Sequence, residues 1–335
     1  MKKRAISSLL VTLIVVSFIL PALATEAGGN TQPPMAAQAE NDAAASAEAD
    51  AAISAGPNAV PDATPGAADN AEPEPQSFVF LDDIPQFVEY ELRDGTTYVT
   101  VSSFVAMVDP QAKVEEKGGV VTVTSARVEQ VVDGDGNTTD VVKETHSMTV
   151  SAQVPYIVAN NRYLYAKDSI TTVNGSVAAP IRKLALVFNL DVDYDAVAHA
   201  ALLIHVQGRS AYIQHGDSYY DADELYWMSR LIYAESGNQP LDGMIAVGNV
   251  VMNRVNSPLY PNAIYDVLNQ KNQFVPPSSL SKRTPNSQSV VAAKLVLDGA
   301  EVLPTALFFN MKGMSSYASR TRPYVATIGD HAFYA

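Results

Sequence analysis

One predicted helix, between Asp221 and Gly237, constrains the fold most because it carries a carboxylate on its apolar face. At about 100° per residue, Glu235 falls near the centre of a face that four apolar residues share: Leu225, Met228, Leu231 and Ile232. Asp221 is suited to cap the helix, Glu224 to close a capping box, and Gly237 to end it. A buried, ionised Glu without a partner is costly, so Glu235 must be paired, protonated or placed at a cleft wall.

Two interpretations of Glu235 follow from this pattern. A carboxyl group whose pKa is raised by burial is what a general acid needs. The other interpretation is structural, with Glu235 forming an ion pair with a core arginine such as Arg254. The helical pattern alone leaves both open.

A family resemblance bears on this choice. Four ordered runs carry it: YAESGNQPLDGMIAVGNVVMNRV, YPNAIYDVLNQKNQF, FFN and IGDHAFYA. Together they resemble the cell-wall hydrolases of the spore-cortex-lytic SleB/CwlJ type over residues 219–335. The resemblance implies a compact, lysozyme-like α+β domain that cleaves the glycan strands of peptidoglycan, with Glu235 of the Tyr-Ala-Glu motif as the catalytic acid. Members usually continue with small-Arg-Gly-Glu, whereas this chain has Ser-Gly-Asn-Gln over 236–239.

The same resemblance suggests residues for substrate binding. The Gln273-Phe274 dipeptide lies by the active cleft in the family, and an amide with an aromatic ring suits N-acetyl groups and sugar faces. Phe309 and Asn310 match the aromatic-Asn motif, and His331 lies in the Gly-x-His-x-Phe motif, where it would bind substrate or position Glu235. Purely structural roles stay open for Phe274, as a core residue, and for His331.

The number of available carboxylates decides between mechanisms. Ordinary glycosidases use two, about 5.5 Å apart for retention or ~6.5–9.5 Å for inversion. Besides Glu235 the domain offers five acids without a comparable core-face pattern: Asp242, Asp266, Asp298, Glu301 and Asp330. One acid suffices for a lytic transglycosylase, in which the muramic acid's own 6-hydroxyl is the nucleophile. Hydrolysis with Asp330 or another carboxylate is the alternative, as are a non-catalytic peptidoglycan-binding protein and a metal-dependent amidase.

The remainder of the predicted C-terminal domain combines helices and strands. A second helix starts at Pro240 and ends by Asn256, and its Gly248 would let the two helices approach closely. A short helix covers 265–268, and Asn286 caps a third that runs to Leu297. ALFFN and YVATIG are predicted strands around a flexible segment, MKGMSSYASRTR.

The N-terminus predicts export. Three basic residues precede an apolar run over 5–20, and Ala22-Leu23-Ala24 offers a cleavage site, so we expect a secretory signal peptide over 1–24. A retained membrane anchor is the alternative, although the run is short against the ~20 residues of a span. Residues 25–76 contain nine acidic residues, many prolines and neither Lys nor Arg, which predicts a disordered linker.

The composition limits which partners the protein can bind and in which compartment we expect it. The chain has a net charge of -14, and loss of the predicted signal peptide would make it -17. So acidic a surface excludes nucleic acid as a partner, and adhesion to anionic wall polymers would need specific contacts. There is no cysteine, so stability depends on packed cores rather than disulfides. We expect a secreted protein in the cell wall or spore cortex, without stable membrane insertion.

Residues 77–207 have a β-rich pattern typical of a separate module. Strands are predicted over 98–101 and 120–124, helices over 104–108 and 181–188, and a hairpin turn at Asn160-Asn161. PIRKLALVFNLDVDYD repeats the plan of VSSFVAMVDPQAKVEE. This region is similar to the small N-terminal domain of copper amine oxidases, which implies a stalk or wall-docking module and no oxidase chemistry. The predicted fold is thus a lysozyme-like α+β domain preceded by a small α+β stalk.

No cofactor or metal is predicted. Asp133, Asp135, Asn137 and Glu144 occupy positions of a calcium-loop template whose sixth position, Thr138, should be Gly. We interpret DGDGN instead as a polar hairpin tip. Three histidines lack the spacing of a zinc site and are assigned to a strand pair, HAALLIHVQ and SAYIQH: His199, His205 and His215.

Overall fold

The computed structural model describes residues 79–335 except 168–169. The predicted signal peptide, 1–24, and linker, 25–76, lie outside the described residues. The described part mixes strands and helices, as predicted, and no helix in it combines the length and apolar character of a membrane span.

The middle region consists mainly of short strands. Its elements are β1 (Val79–Leu81), β2 (Ile84–Gln86), β3 (Tyr90–Arg93), β4 (Thr96–Thr100), α1 (Val101–Val108), β5 (Lys113–Lys117), β6 (Val120–Val132), β7 (Thr138–Ser151), β8 (Tyr156–Ala159), β9 (Arg162–Tyr165), β10 (Thr171–Val173), β11 (Ser176–Pro180), α2 (Ile181–Val187), β12 (Leu190–Asp195) and β13 (Ala200–His205).

The C-terminal region is mainly helical, with a small sheet near its end. Its elements are α3 (Gly216–Tyr219), α4 (Ala222–Ser236), α5 (Leu241–Val255), α6 (Ile264–Leu268), α7 (Pro277–Leu280), α8 (Ser287–Leu297), β14 (Phe308–Met311), α9 (Tyr317–Thr321), β15 (Tyr324–Ile328) and β16 (His331–Tyr334). Two of these lie in segments predicted to be loops, namely α7 and α9.

The strands form four sheets in the described residues, with orders β12-β13-β1-β2, β10-β11-β4-β3, β5-β6-β7-β8-β9 and β14-β16-β15. The predicted repeat is confirmed, because β4-α1-β5 and β11-α2-β12 have the same strand-helix-strand plan. The two copies meet where β4 and β11 pair antiparallel. Asn160 and Asn161 form the predicted hairpin turn with φ angles of 47° and 62°, a region that Asn tolerates better than most residues.

The residues of the calcium-loop template do not belong to one loop. Residues 133–137 are the tip of the long β6-β7 hairpin, where Asp133 accepts hydrogen bonds from the backbone N–H groups of Asp135 and Asn137. Glu144 lies well down β7, opposite Arg127. The hairpin interpretation of DGDGN is confirmed.

One predicted strand pair is wrong. HAALLIHVQ supplies β13, but β13 pairs with β12 and β1, and residues 210–215 form no strand. Asn189 explains part of this difference, because its side chain donates to the backbone carbonyls of Ser210 and Tyr212 and holds this segment beside α2. The sequence pattern of alternating apolar residues does not reveal such a competing contact.

Helices α4, α5 and α8 pack against one another around a core that includes Met228, Ile232 and Val296. Gly248 of α5 is required there, because an added Cβ would lie 2.6 Å from Cγ2 of Val296 and 3.3 Å from Cδ1 of Ile232. The close approach predicted from Gly248 is thus confirmed, and it involves α8 as well as α4.

The β8-β9 hairpin of the middle region is bound to the helices of the C-terminal region. The guanidinium group of Arg162 donates to both carboxylate oxygens of Asp298, at 3.0 and 2.6 Å, and the Tyr220 hydroxyl donates to the same carboxylate at 2.9 Å. The Tyr165 hydroxyl donates to Asp242, and Tyr165 belongs to the same core as α4, α5 and α8. The predicted division between 77–207 and 219–335 stays a prediction, but the two regions share this network.

Candidate active site

Glu235 lies in the last turn of α4. Asp221 caps the start of α4 as predicted, by accepting hydrogen bonds from the backbone N–H groups of Asp223 and Glu224. Gly237 follows the helix in a right-handed conformation, and an added Cβ would lie 2.5 Å from the Tyr233 carbonyl oxygen. Glycine is therefore needed at position 237 for this close approach rather than for a positive φ.

The carboxyl group of Glu235 is partly buried and has one fixed hydrogen-bond donor. The backbone N–H of Val275 donates to its Oε1 at 2.9 Å. Burial raises the pKa of Glu235, and this outweighs the lowering by the Val275 N–H and by the positive charge of Arg283. Such an environment favours a carboxyl group that keeps its proton until it donates it, which is the requirement for a general acid.

Arg254 is not the partner of Glu235 that the structural interpretation required. Its Nε donates to the Leu307 carbonyl oxygen at 2.8 Å, and Arg254 is 3% exposed. The guanidinium group lies 4.8 Å from the ring centroid of Phe274 and 5.2 Å from that of Phe308. Arg254 thus holds the segments around Phe274 and Leu307 together, and Glu235 keeps its raised pKa.

Three of the predicted substrate-binding residues lie together in an aromatic row. The ring centroids of Phe274 and Phe309 are 6.2 Å apart, and the Phe309 ring meets His331 edge-on at 5.3 Å. Phe333 packs on Phe309 and His331 and is fully buried. Phe274 therefore has part of the core role that the sequence left open, and it also precedes Val275, which binds Glu235.

His331 has an imidazole that is half-buried. Burial lowers its pKa although Asp330 carries a nearby negative charge, so the ring is neutral at neutral pH. Its Nδ1 is buried and makes no hydrogen bond within the described residues. Because Nδ1 is buried, only the accessible edge of this neutral ring is suited to bind a hydroxyl or amide of a ligand.

The other two predicted residues are separated from this row. Gln273 is exposed in the turn before Phe274. Asn310 lies on the opposite face of β14 from Phe309, since neighbouring strand residues alternate. Its Nδ2 donates to the carbonyl oxygens of Met311 and Met314, and its Oδ1 accepts from the Ser316 hydroxyl at 2.6 Å. In this structure Asn310 therefore organises the 311–316 turn.

Three of the candidate second carboxylates are held by other groups. Asp298 binds Arg162 and Tyr220, and Asp242 accepts from Tyr165. Asp330 forms a salt bridge with Lys312 at 2.7 Å and accepts from Gln239, and these contacts hold its pKa below the usual range. Asp330 is thus an ionised, exposed carboxylate that already has two partners.

Sequence reasoning missed the groups that surround Glu235. The Val275 contribution is a backbone N–H, and no side-chain pattern indicates a backbone donor. Gln239 was known only as a departure from the family motif, but it is buried and joins the 329–330 turn to the segment after α4. Gly329 has a φ of 59°, a left-handed conformation that favours glycine, and an added Cβ there would also lie 2.3 Å from Gln239 Oε1.

The three histidines for which no zinc site is predicted lie apart from one another in the structure. His199 and His205 lie at opposite ends of β13, and His215 caps α3. His205 pairs with Asp82 at 2.7 Å. Among the described residues no group of three or more His, Cys, Asp or Glu side chains is arranged to hold a metal ion.

Comparisons with known proteins bear on the C-terminal region. Residues 238–334 match the family described as Cell Wall Hydrolase. The spore cortex-lytic enzyme of Bacillus cereus is 30% identical over 116 residues, which is 34% of this chain and 45% of that protein. The spore cortex-lytic enzyme of Bacillus subtilis is 27% identical over 113 residues, 33% of this chain and 37% of that protein. The chain thus spans less than half the length of these curated relatives.

Two solved structures are also similar. One is the catalytic domain of the germination-specific lytic transglycosylase SleB from Bacillus anthracis, at 26% identity, 37% of this chain, 100% of that chain and a TM-score of 0.32. The other is the catalytic domain of the Bacillus cereus SleB protein, at 27% identity, 39% of this chain, 100% of that chain and a TM-score of 0.33. On the sequence matches, the C-terminal region carries a cell wall hydrolase domain similar to spore cortex-lytic enzymes.

Proposed function

We propose that this protein cleaves the glycan strand of peptidoglycan next to muramic acid, as a lytic transglycosylase with Glu235 as its single acid and base. The observation that carries the proposal is the environment of Glu235, which combines a pKa raised by burial with one backbone donor and lies three residues before the segment that matches cell wall hydrolases, 238–334. The activity of the whole chain is part of the proposal, because the relatives are matched over less than half their length.

The reaction needs one carboxyl group in two states. Protonated Glu235 donates its proton to the glycosidic oxygen, and the bond from that oxygen to the anomeric carbon of muramic acid breaks. The resulting carboxylate then accepts the proton of the muramic acid 6-hydroxyl while that oxygen bonds to the anomeric carbon. Glu235 ends protonated as it began, and the product is an anhydro sugar. The Val275 N–H stabilises the carboxylate between the two steps.

Substrate binding is assigned to the aromatic row, which is joined to Glu235 through Phe274 and Val275, and to Gln273 and Asn310. Phe274 and Phe309 offer ring edges and faces to sugars, and the accessible edge of the half-buried His331 ring would meet a hydroxyl or N-acetyl group. Gln273 is exposed and free to reach a ligand as an amide. Asn310 is assigned through the 311–316 turn that it holds.

Hydrolysis with Asp330 as water activator is the second candidate, because Asp330 is ionised and lies next to Gln239, close in sequence to Glu235. Its salt bridge to Lys312 argues against this role, since a base bound to a cation is a weaker proton acceptor. The products separate the two mechanisms, because hydrolysis leaves a reducing end and transglycosylation leaves an anhydro end.

The test is digestion of purified sacculi by the full chain, with mass spectrometry of the soluble products. Wild type should release anhydromuropeptides, and Glu235→Gln, which keeps the size and the acceptor for Val275 N–H, should release none. Products with reducing ends would contradict the transglycosylase and favour hydrolysis. If neither protein releases material but both bind sacculi, the domain is a peptidoglycan-binding protein without catalysis; new amino groups would indicate an amidase.

The proposal also covers where the protein acts and what its middle region does. We place the protein outside the cytoplasmic membrane, exported by the signal peptide over 1–24 and acting in wall remodelling or spore-cortex lysis. Residues 77–207 would be a stalk similar to the N-terminal domain of copper amine oxidases, with no copper chemistry. The contacts of Arg162 and Tyr165 support a stalk that is fixed to the catalytic helices rather than freely hinged.

A further inference from the structure

The side chain of Gln239 ties the turn between β15 and β16 to the segment that follows Glu235. Gln239 is 9% exposed, and its amide makes two hydrogen bonds to one residue. Its Oε1 accepts from the backbone N–H of Asp330 at 2.8 Å, and its Nε2 donates to Oδ2 of Asp330 at 3.2 Å. Because a backbone N–H can only donate, the first bond fixes the orientation of the amide and directs Nε2 to the carboxylate.

The chain leaves room for Gln239 on two sides. An added Cβ at Gly329 would lie 2.3 Å from Oε1 of Gln239, and one at Gly243 of α5 would lie 3.3 Å from its Cβ. A buried side chain that is packed this closely cannot move without displacing its neighbours. The Gln239–Asp330 contact therefore holds the turn at one distance from the end of α4.

Lys312 keeps the partner of Gln239 ionised. Its Nζ lies 2.7 Å from Oδ1 of Asp330, so the two oxygens of the carboxylate bind different groups. These contacts, led by the hydrogen bond from Lys312, hold the pKa of Asp330 below its usual range. An amide at position 239 suits an ionised Asp330, whereas a carboxylate there would bring two like charges together.

The Gln239–Asp330 contact also completes a ring of contacts that starts and ends at the last turn of α4. The other members of this ring are the donor to Glu235 and the aromatic row, namely Val275, Phe274, Phe309 and His331. His331 follows Asp330 directly in the chain. The contact therefore fixes the position of the His331 ring relative to the segment that carries Glu235.

Loss of this contact would change the site without unfolding the small sheet. β16 would still pair with β14 and β15, and Ile328 and Phe333 would still pack against α5. The hydrogen bonds between the 329–330 turn and the segment after Glu235 would be absent. The half-buried ring of His331 would then be free to shift relative to Glu235.

We propose that Gln239 is a positioning residue for the glycan cleavage proposed above. It acts through His331, whose accessible edge it holds in place for a sugar hydroxyl or N-acetyl group, and it makes no contact with the substrate itself. This inference rests on the proposed function for the identity of the ligand, which is a peptidoglycan glycan strand. Changes at position 239 should affect substrate binding more than the chemistry at Glu235, whose Val275 donor is unaltered.

The first test measures binding in full-length Glu235→Gln protein, in which no cleavage interferes. Gln239→Leu removes both hydrogen bonds, and we expect the apparent Kd for purified sacculi to rise about tenfold, as for the loss of one hydrogen bond to a ligand. His331→Ala should cause a similar rise, and adding Gln239→Leu to it should change the Kd by no more than about twofold. The matched control is Gln214→Leu, which alters an exposed amide that donates to Ser218 and should leave the Kd unchanged.

A second test exchanges the donor and the acceptor, with circular dichroism confirming that each variant is folded. Gln239→Glu alone places a second carboxylate beside Asp330 and should weaken binding at least as much as Gln239→Leu. Adding Asp330→Asn supplies an amide that donates to the new carboxylate, so this double variant should bind within about threefold of the Glu235→Gln parent. The proposal is overturned if Gln239→Leu binds like the parent, if its effect adds in full to that of His331→Ala, or if the exchanged pair binds no better than Gln239→Glu.

The proposed function fails on a different measurement, when wild type releases no soluble product from sacculi although Glu235→Gln protein binds them and is weakened by Gln239→Leu. With active protein, Gln239→Leu should raise the KM for soluble glycan strands about tenfold and leave kcat within about threefold. A lower kcat with an unchanged KM would contradict the positioning role, because the effect would then lie in the chemistry at Glu235. Sacculi that do not bind the Glu235→Gln parent would overturn both proposals.

Discussion

Removing the charge of Arg162 tests whether the middle region stabilises the catalytic helices. The side chains of Arg162 and Asp298 are 11% and 2% exposed, so Arg162→Met leaves the Asp298 carboxylate buried with only the Tyr220 hydroxyl as its hydrogen-bond partner. Breaking such a buried pair typically costs about 3–5 kcal/mol. Because Lys183 also acts electrostatically on Asp298, we expect the lower end, ~3 kcal/mol. At ~2–4 °C per kcal/mol, that corresponds to a Tm lowered by about 6–12 °C.

The assay is urea unfolding of the full chain followed by circular dichroism. Adding Asp298→Asn to Arg162→Met removes the unpaired charge and keeps an acceptor for Tyr220, so the double variant should recover about 1 kcal/mol or more. Lys113→Met, which breaks the exposed ion pair with Glu115, is the matched control and should leave the urea midpoint unchanged. An Arg162→Met protein within about 0.5 kcal/mol of wild type, or a double variant no better than the single one, would refute the reasoning.

Three further predictions concern the site and the helices. Burial raises the pKa of Glu235 in the folded protein. The protonated carboxyl group therefore contributes stability that is fully present below the unfolded pKa of ~4.3 and is lost as the pH rises through the folded pKa. Glu235→Gln should therefore become more stable relative to wild type between about pH 4 and about pH 8 in urea unfolding, and a difference that does not vary with pH contradicts this. Asp330→Asn should keep kcat/KM within about threefold, whereas a general base would lose at least ~100-fold. Gly248→Ala should cost about 1–3 kcal/mol by overpacking Val296, partly restored by Val296→Ala, and an unchanged urea midpoint would show that the helices separate freely.

The local helix signals were sufficient to place most of the C-terminal helices. Asp221 and Asn286 cap α4 and α8 as predicted, and the helix after Pro240 ends at Val255 before Asn256. These features are determined by residues close in sequence, so a single chain reveals them. The periodicity of α4 also indicated the unusual position of Glu235.

Long-range contacts were not predictable in the same way. The donor to Glu235 is the backbone of Val275, forty residues later, and the position of residues 210–215 depends on the side chain of Asn189. The structured helix α9 depends on side chains such as Asn310, which reaches forward to Ser316. The contact of Arg162 with Asp298 joins residues 136 positions apart, and neither residue has a local pattern that indicates a partner.

Cleavage in heavy-oxygen water tests the central claim most directly. Sacculi are digested by wild-type protein in this solvent, and the new ends of the released muropeptides are examined by mass spectrometry, with Glu235→Gln as the inactive control. If Glu235 acts alone and the muramic acid 6-hydroxyl is the nucleophile, the products are lighter than reducing muropeptides by one water molecule and contain no heavy oxygen. Products that carry one heavy oxygen at the reducing end would contradict the account, because water would then be the nucleophile and a second carboxylate would be needed.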